Sequence, residues 1–108
     1  MTDAGPASNA GPERMRLDVF LWRARFFKVR STAAEAVETV GVRIERAGHV
    51  RRVDKAATPV EPGDILSFAC PAGVRLVRIL ALPVRRGPPS EAALCYEPVV
   101  ADAMRPSA

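Results

Sequence analysis

Histidine, cysteine and lysine are scarce in this chain of 108 residues, with one His49, two cysteines (Cys70 and Cys95) and two lysines (Lys28 and Lys55). A single histidine and no Cys-x-x-Cys spacing leave too few soft ligands for a zinc site, so no metal or other cofactor is expected. One cysteine pair without an export signal points to two reduced, inert thiols rather than a disulfide. Met1–Glu13 has neither the basic start nor the apolar run of a secretory signal. No stretch approaches the roughly 20 apolar residues that span a bilayer. A cytoplasmic protein with no membrane partner is the expectation. Glu45, Glu61, Asp64, Glu91 and Glu97 show no paired-carboxylate or metal-like spacing, and no nucleophile, base and orienting group assemble, so no catalytic residues are assigned.

What remains is room for one small domain. Residues 1–13 are small, polar and rich in Pro and Gly, as is the end of the chain. A disordered leader (1–13) and a disordered tail (101–108) are therefore expected. Net charge is +4, but it is unevenly placed. Arg14–Lys55 carries eleven bases against five acids, whereas Ala56–Ala108 carries five of each. Fourteen of the sixteen bases are arginine, whose planar fork suits phosphates and base edges. A GC-rich genome would explain arginine over lysine but not the clustering. Clustered positive charge on a small domain points to a polyanionic partner.

Along Arg16–Lys28, Leu17, Phe20, Leu21 and Ala24 keep the i, i+3, i+4, i+7 spacing of a helix that buries one stripe. Val19, Trp22 and Phe26 make a second apolar strip. It could stack on unpaired bases, but the favoured expectation is that Leu94–Val99 folds back over it. A tight connection at Phe26–Arg30 leads to a second helix, with Thr32 and Glu35 at capping-box spacing and Gly41 at its end. The period then changes to two. Val42–Ile44 and Val50–Val53 read as hairpin arms around a long loop, Glu45–His49. Glu61–Asp64 has the Pro-then-Gly order of a type II turn, followed by strand Ile65–Phe68. Pro71–Gly73 turns into strand candidate Val74–Leu82, where Arg75 and Arg78 break alternation and suggest a bulge. Arg85–Val100 holds at best a Ser90-capped turn of helix. The expected class is α+β, with two short helices on a small antiparallel sheet and an extension. The boundaries are 14–82 for the domain and 83–100 for an extension packing on it.

RLD opening the first helix, S-x-x-A opening the second, V-x-I, then P-V-x-P-G-D-I-L resemble the S4-type RNA-binding domain over about Arg16–Phe68. Two further stretches, LWRARFFKVRSTA (Leu21–Ala33) and RRGPPSEAALCYE (Arg85–Glu97), look like the ribosome-associated heat-shock protein 15 family. The resemblance implies an S4-like fold and a non-catalytic RNA-binding protein of the bacterial cytosol. Its implied partner is the large ribosomal subunit holding a nascent chain on tRNA. Matching positions carry the binding surface: Arg16, Arg25, Lys28, Arg30 and Ser31, and more loosely Arg51, Arg52 and Lys55. Arg23 joins the set as part of the basic cluster. Where the family pattern expects a two-residue Asn-Gly turn, this chain has Glu45–Val50. It also ends without a Lys/Arg-rich tail, for which a shallower salt dependence of binding is expected.

R-L-D also surrounds the catalytic aspartate of pseudouridine synthases, but those enzymes add a large catalytic domain. Asp18 is read instead as a first-turn carboxylate paired with an arginine. His49 is read as an exposed loop residue. A monomer is expected. DNA contact remains open as a side activity, because phosphates are common to both polymers. The competing class is a protein-interaction or regulatory module with weak or lost RNA binding, kept open by the altered hairpin loop and the missing tail.

Overall fold

A computed structural model describes residues 13–100; the leader up to residue 12 and the tail 101–108 lie outside the described residues. The element order is β1 (Met15–Arg16), α1 (Leu17–Arg23), α2 (Arg30–Thr39), β2 (Val42–Arg46), β3 (His49–Val53), β4 (Pro59–Val60), β5 (Ile65–Cys70), β6 (Gly73–Ile79), α3 (Pro89–Ala92), a 3₁₀ turn (Ala93–Cys95) and β7 (Tyr96–Pro98). Five strands form an antiparallel sheet in the order β3-β2-β5-β6-β7, and β1 pairs with β4 separately. The α+β class is as expected, with a third short helix added.

Leu17, Phe20 and Leu21 of α1 and Ala33 and Val37 of α2 are fully buried. They pack with the inward residues of the sheet, Val42 and Ile44, Leu66 and Phe68, Val77 and Ile79. Cross-strand register puts Ile44 opposite Leu66 and Leu66 opposite Val77, so the three strands present one continuous apolar face. Each of the larger side chains among them, Ala33 excepted, contributes about 1.5–3 kcal/mol by leaving water.

Helix α1 is shorter than its apolar spacing suggests. Arg25 takes a left-handed conformation (φ 71°), the Phe26 N–H bonds to the Leu21 carbonyl at 3.0 Å, and the Arg25 N–H bonds to Trp22 at 3.0 Å. These are the paired bonds of a Schellman C-cap, with arginine where glycine is usual. Phe26 thereby leaves the helix and enters the core beside Phe68 and Tyr96, at ring-centroid distances of 4.9 and 4.6 Å. The expected cover of Phe26 by the C-terminal stretch is what the structure contains, through Tyr96.

Four local expectations are corrected. The capping box at Thr32 and Glu35 is absent: α2 starts at Arg30 with Val29 as its cap residue, and the Thr32 hydroxyl donates back to the Val29 carbonyl at 2.7 Å. The long hairpin loop is a two-residue turn, because β2 and β3 pair from Val42↔Val53 through to Arg46↔His49. Ala47 (φ 53°) and Gly48 (φ 83°) are both left-handed, the requirement of a type I′ turn. There is no bulge in β6, whose register against β5 runs unbroken from Ile65↔Arg78 to Cys70↔Gly73. Arg75 therefore sits on the inward face with Val77 and Ile79, an arginine on an apolar row. Finally, Pro88 rather than Ser90 precedes the short helix α3.

The extension completes the sheet. β7 pairs with β6 at Val77↔Pro98 and Ile79↔Tyr96, and the Leu80 N–H bonds to the Cys95 carbonyl at 2.8 Å. No helix of the described residues is long and apolar enough to cross a membrane.

Candidate nucleic-acid interface

Strand β1, the start of α1 and the start of α2 meet at Asp18. Its side chain is 3% exposed, yet it takes a two-pronged contact from Arg16, with Nε and Nη2 each at 3.0 Å, and an ion pair from Arg30 Nε at 3.6 Å. The Val19 N–H completes the set at 2.8 Å. Burial alone would push this carboxyl up. The Arg16 hydrogen bond, the charges of Arg16 and Arg30 and the Val19 N–H outweigh it and hold Asp18 below the ordinary carboxylate range. Two guanidiniums distant in sequence are thus drawn together over one carboxylate, with the Glu38 carboxylate also acting on Arg16. Both arginine side chains stay about half exposed, at 48% and 50%. Asp18 is a positioning residue, as its first-turn placement suggests.

The N-terminus of α2 opens on the same surface. No side chain caps it and no acid lies in its first turn, so its free N–H groups and the positive end of its dipole are available to an anion. Lys28, Arg30 and Ser31 are exposed around it. Lys55 approaches from another direction. Residues 55–58 form a turn (Thr58 N–H to the Lys55 carbonyl, 3.0 Å) that is bonded to the start of α1, Leu17 N–H to Thr58 at 2.8 Å and Asp18 N–H to Ala56 at 3.2 Å. Arg16, Lys28, Arg30, Ser31 and Lys55 therefore belong to one end of the molecule.

The other sequence-derived positions are placed differently. Arg23 turns inward: its Nη1 donates to the Pro83 carbonyl at 3.1 Å, and its buried Nε has no hydrogen-bond partner among the described residues. Arg25 is exposed at the left-handed corner and donates to the Gly87 carbonyl at 2.8 Å. Arg51 and Arg52 are adjacent in a strand and so point to opposite faces. Arg51 lies opposite buried Ile44 on the helix side, and Arg52 lies opposite Arg43 on the outer side. Arg52 donates to the Val40 carbonyl at the end of α2 (2.8 Å) and passes so close to Gly41 that a Cβ there would lie 2.7 Å from its guanidinium carbon. It acts as a C-terminal cap.

Two arginines outside the sequence-derived set do structural work. Arg86 donates to the carbonyls of Trp22 (3.1 Å) and Phe27 (3.4 Å), tying the extension to the corner after α1. Arg46 makes a two-pronged contact with buried Asp64, both bonds 2.8 Å, while Asp64 also accepts the Glu61 N–H at 3.0 Å. Neither has a distinguishing local sequence signal, because both depend on contacts remote in the chain. Among the described residues, no group of three His, Cys, Asp or Glu side chains could hold a metal ion.

No protein-family model matches the chain. Heat shock protein 15 of Escherichia coli K12 is 37% identical over 83 residues, covering 77% of this chain and 59% of the relative. The proteins of the same name from the O6:H1 and O157:H7 strains align with the same figures. The chain thus spans 59% of the length of these curated relatives. The solved heat shock protein 15 of Vibrio cholerae, described as trimeric, superposes with a TM-score of 0.67 at 27% identity, covering 85% of this chain and 88% of that one. The S4-like architecture and the shared sequence agree, and the chain resembles the heat shock protein 15 family in both.

Proposed function

We propose that this chain is a non-catalytic, cytoplasmic RNA-binding protein that docks on the large ribosomal subunit during heat stress, when the subunit still holds a nascent chain on tRNA. The uncapped start of α2 carries this reading, flanked by Lys28 and by the Arg16–Arg30 pair that Asp18 holds together. Phosphates meet helix N–H groups and guanidiniums there, which supplies affinity and register without base specificity. The shape of the α1–α2 corner supplies selectivity for folded RNA. Lys55 and Ser31 extend the contact. Arg23 and Arg52 are left out, because Arg23 turns inward with a buried Nε and Arg52 packs on Gly41 as the cap of α2.

Charge reversal at Lys28→Glu with Arg30→Glu tests this reading in a co-sedimentation assay with large subunits. Affinity should fall at least tenfold at moderate salt with the thermal midpoint unchanged. Undiminished co-sedimentation would sink the reading. Duplex DNA serves as competitor in the same assay and is not part of the proposal. A protein-interaction role leaned partly on a long hairpin loop, and the two-residue Ala47-Gly48 turn removes that support. The monomeric state belongs to this reading. Light scattering on the full chain separates it from a trimer like that of the Vibrio relative.

A further inference from the structure

A cleft of about 310 Å³ lies between the domain and its extension, lined by the α1–α2 corner (Ala24, Arg25, Phe26), by Cys70, Ala72 and Arg75 of the β5–β6 hairpin, and by Pro89, Ala92 and Tyr96 of the extension. Its wall contains two guanidiniums and no carboxylate. Arg75 makes no ion pair among the described residues; instead its guanidinium carbon lies 5.2 Å from the centre of the Phe26 ring. It occupies an inward position in the row Arg75-Val77-Ile79, where an apolar side chain would have closed the core. A guanidinium held over an aromatic ring is a flat cation that can also stack on a planar ligand. Arg25, at the mouth, is held in the left-handed region at φ 71°. That conformation ends α1 and sets the Arg25 side chain against the extension, where it donates to the Gly87 carbonyl.

We infer that this cleft takes one unpaired nucleotide of the bound RNA, with its base between the Arg75 guanidinium and the Tyr96 wall and its phosphate at Arg25. The inference rests on the RNA-binding reading above and adds a second contact point around the corner from the α2 N-terminus. Charge complementarity selects the occupant: an apolar slot with two arginines and no acid suits an aromatic base with an attached anion. It also gives the extension a binding role, since three of the lining residues belong to it. Single unpaired bases stacked on side chains in this way are read without sequence preference.

The test compares two RNA hairpins, one fully paired and one with a single bulged 2-aminopurine, in titrations of the full chain. The bulged hairpin should bind about tenfold more tightly, and the fluorescence of its reporter base should change on binding. Arg75→Ala should remove the preference and the fluorescence change while leaving affinity for the paired hairpin intact. Arg75→Lys, which keeps the charge but loses the plane, should not restore them. Lys28→Glu with Arg30→Glu should weaken both hairpins equally. Equal affinity of the unaltered chain for both hairpins overturns the inference and leaves the RNA-binding reading standing. Full rescue by Arg75→Lys overturns the stacking role. Failure to bind either hairpin overturns the reading and the inference together.

Discussion

Asp18 shows how one residue can be identified by position and still not be understood from it. Its place in the first turn beside Arg16 is legible in R-L-D. That Arg30 reaches the same carboxylate is not, because the contact depends on how tightly the chain turns between the helices. Removing the charge with Asp18→Asn leaves two guanidiniums over a neutral amide and should cost about 1–3 kcal/mol of stability at neutral pH. The pH dependence has a definite sign. The folded carboxyl sits below its unfolded value of about 3.9, so its contribution is full above that pH and is lost as pH falls through the folded value. Acid titration of stability should therefore be shallower below about pH 4 in Asp18→Asn than in the unaltered protein. Identical acid limbs in the two proteins would contradict this account. Arg23, Arg25 and Arg52 show the reverse situation: composition marks them as basic, but only tertiary contacts reveal that each spends a donor on a backbone carbonyl.

At the level of elements, helices and strands follow from periodicity, whereas two of the corners do not. Helix α1 stops at an arginine in the left-handed region, so neither glycine nor proline announces its end, and its apolar spacing continues past the cap. The β2–β3 turn is hidden for a similar reason. Ala47 occupies the first left-handed position of a type I′ turn, where Asn is the preferred residue, and the stretch consequently reads as a longer loop. Ala47→Asn should raise stability by about 0.5–1 kcal/mol, because Asn tolerates this conformation better than a residue with a plain Cβ. Chemical denaturation checks it; an unchanged or lowered midpoint would contradict the turn assignment. Arg75 belongs here too. Three-residue spacing from Arg78 suggests a bulge, but a regular strand that places one arginine on each face fits the same letters.

Across the whole molecule, the extension is joined to the domain at three places: β7 on β6, Arg86 on the corner after α1, and Arg23 and Arg25 on residues 83 and 87. One part of its packing was readable from the apolar spacing Val19-Trp22-Phe26, since Phe26, beyond the end of α1, meets Tyr96. The arginine links were not, since each spans about sixty residues of sequence. Arg86→Ala should speed hydrogen exchange at the Leu80 and Val99 amides, which bond to Cys95 and Leu76, while the Ile44–Leu66 region keeps its protection. Uniform acceleration across the sheet would show instead that the extension and domain unfold as one unit.

The central claim is that a basic surface at the start of α2 binds RNA phosphates, and salt dependence tests it most directly. Affinity for ribosomal RNA should fall log-linearly with salt, with a slope of roughly −0.7 to −0.9 for each phosphate neutralised. Lys28→Glu with Arg30→Glu should reduce the magnitude of that slope by about 1 to 2. Binding that is independent of salt, or a slope unchanged in the variant, would contradict the account.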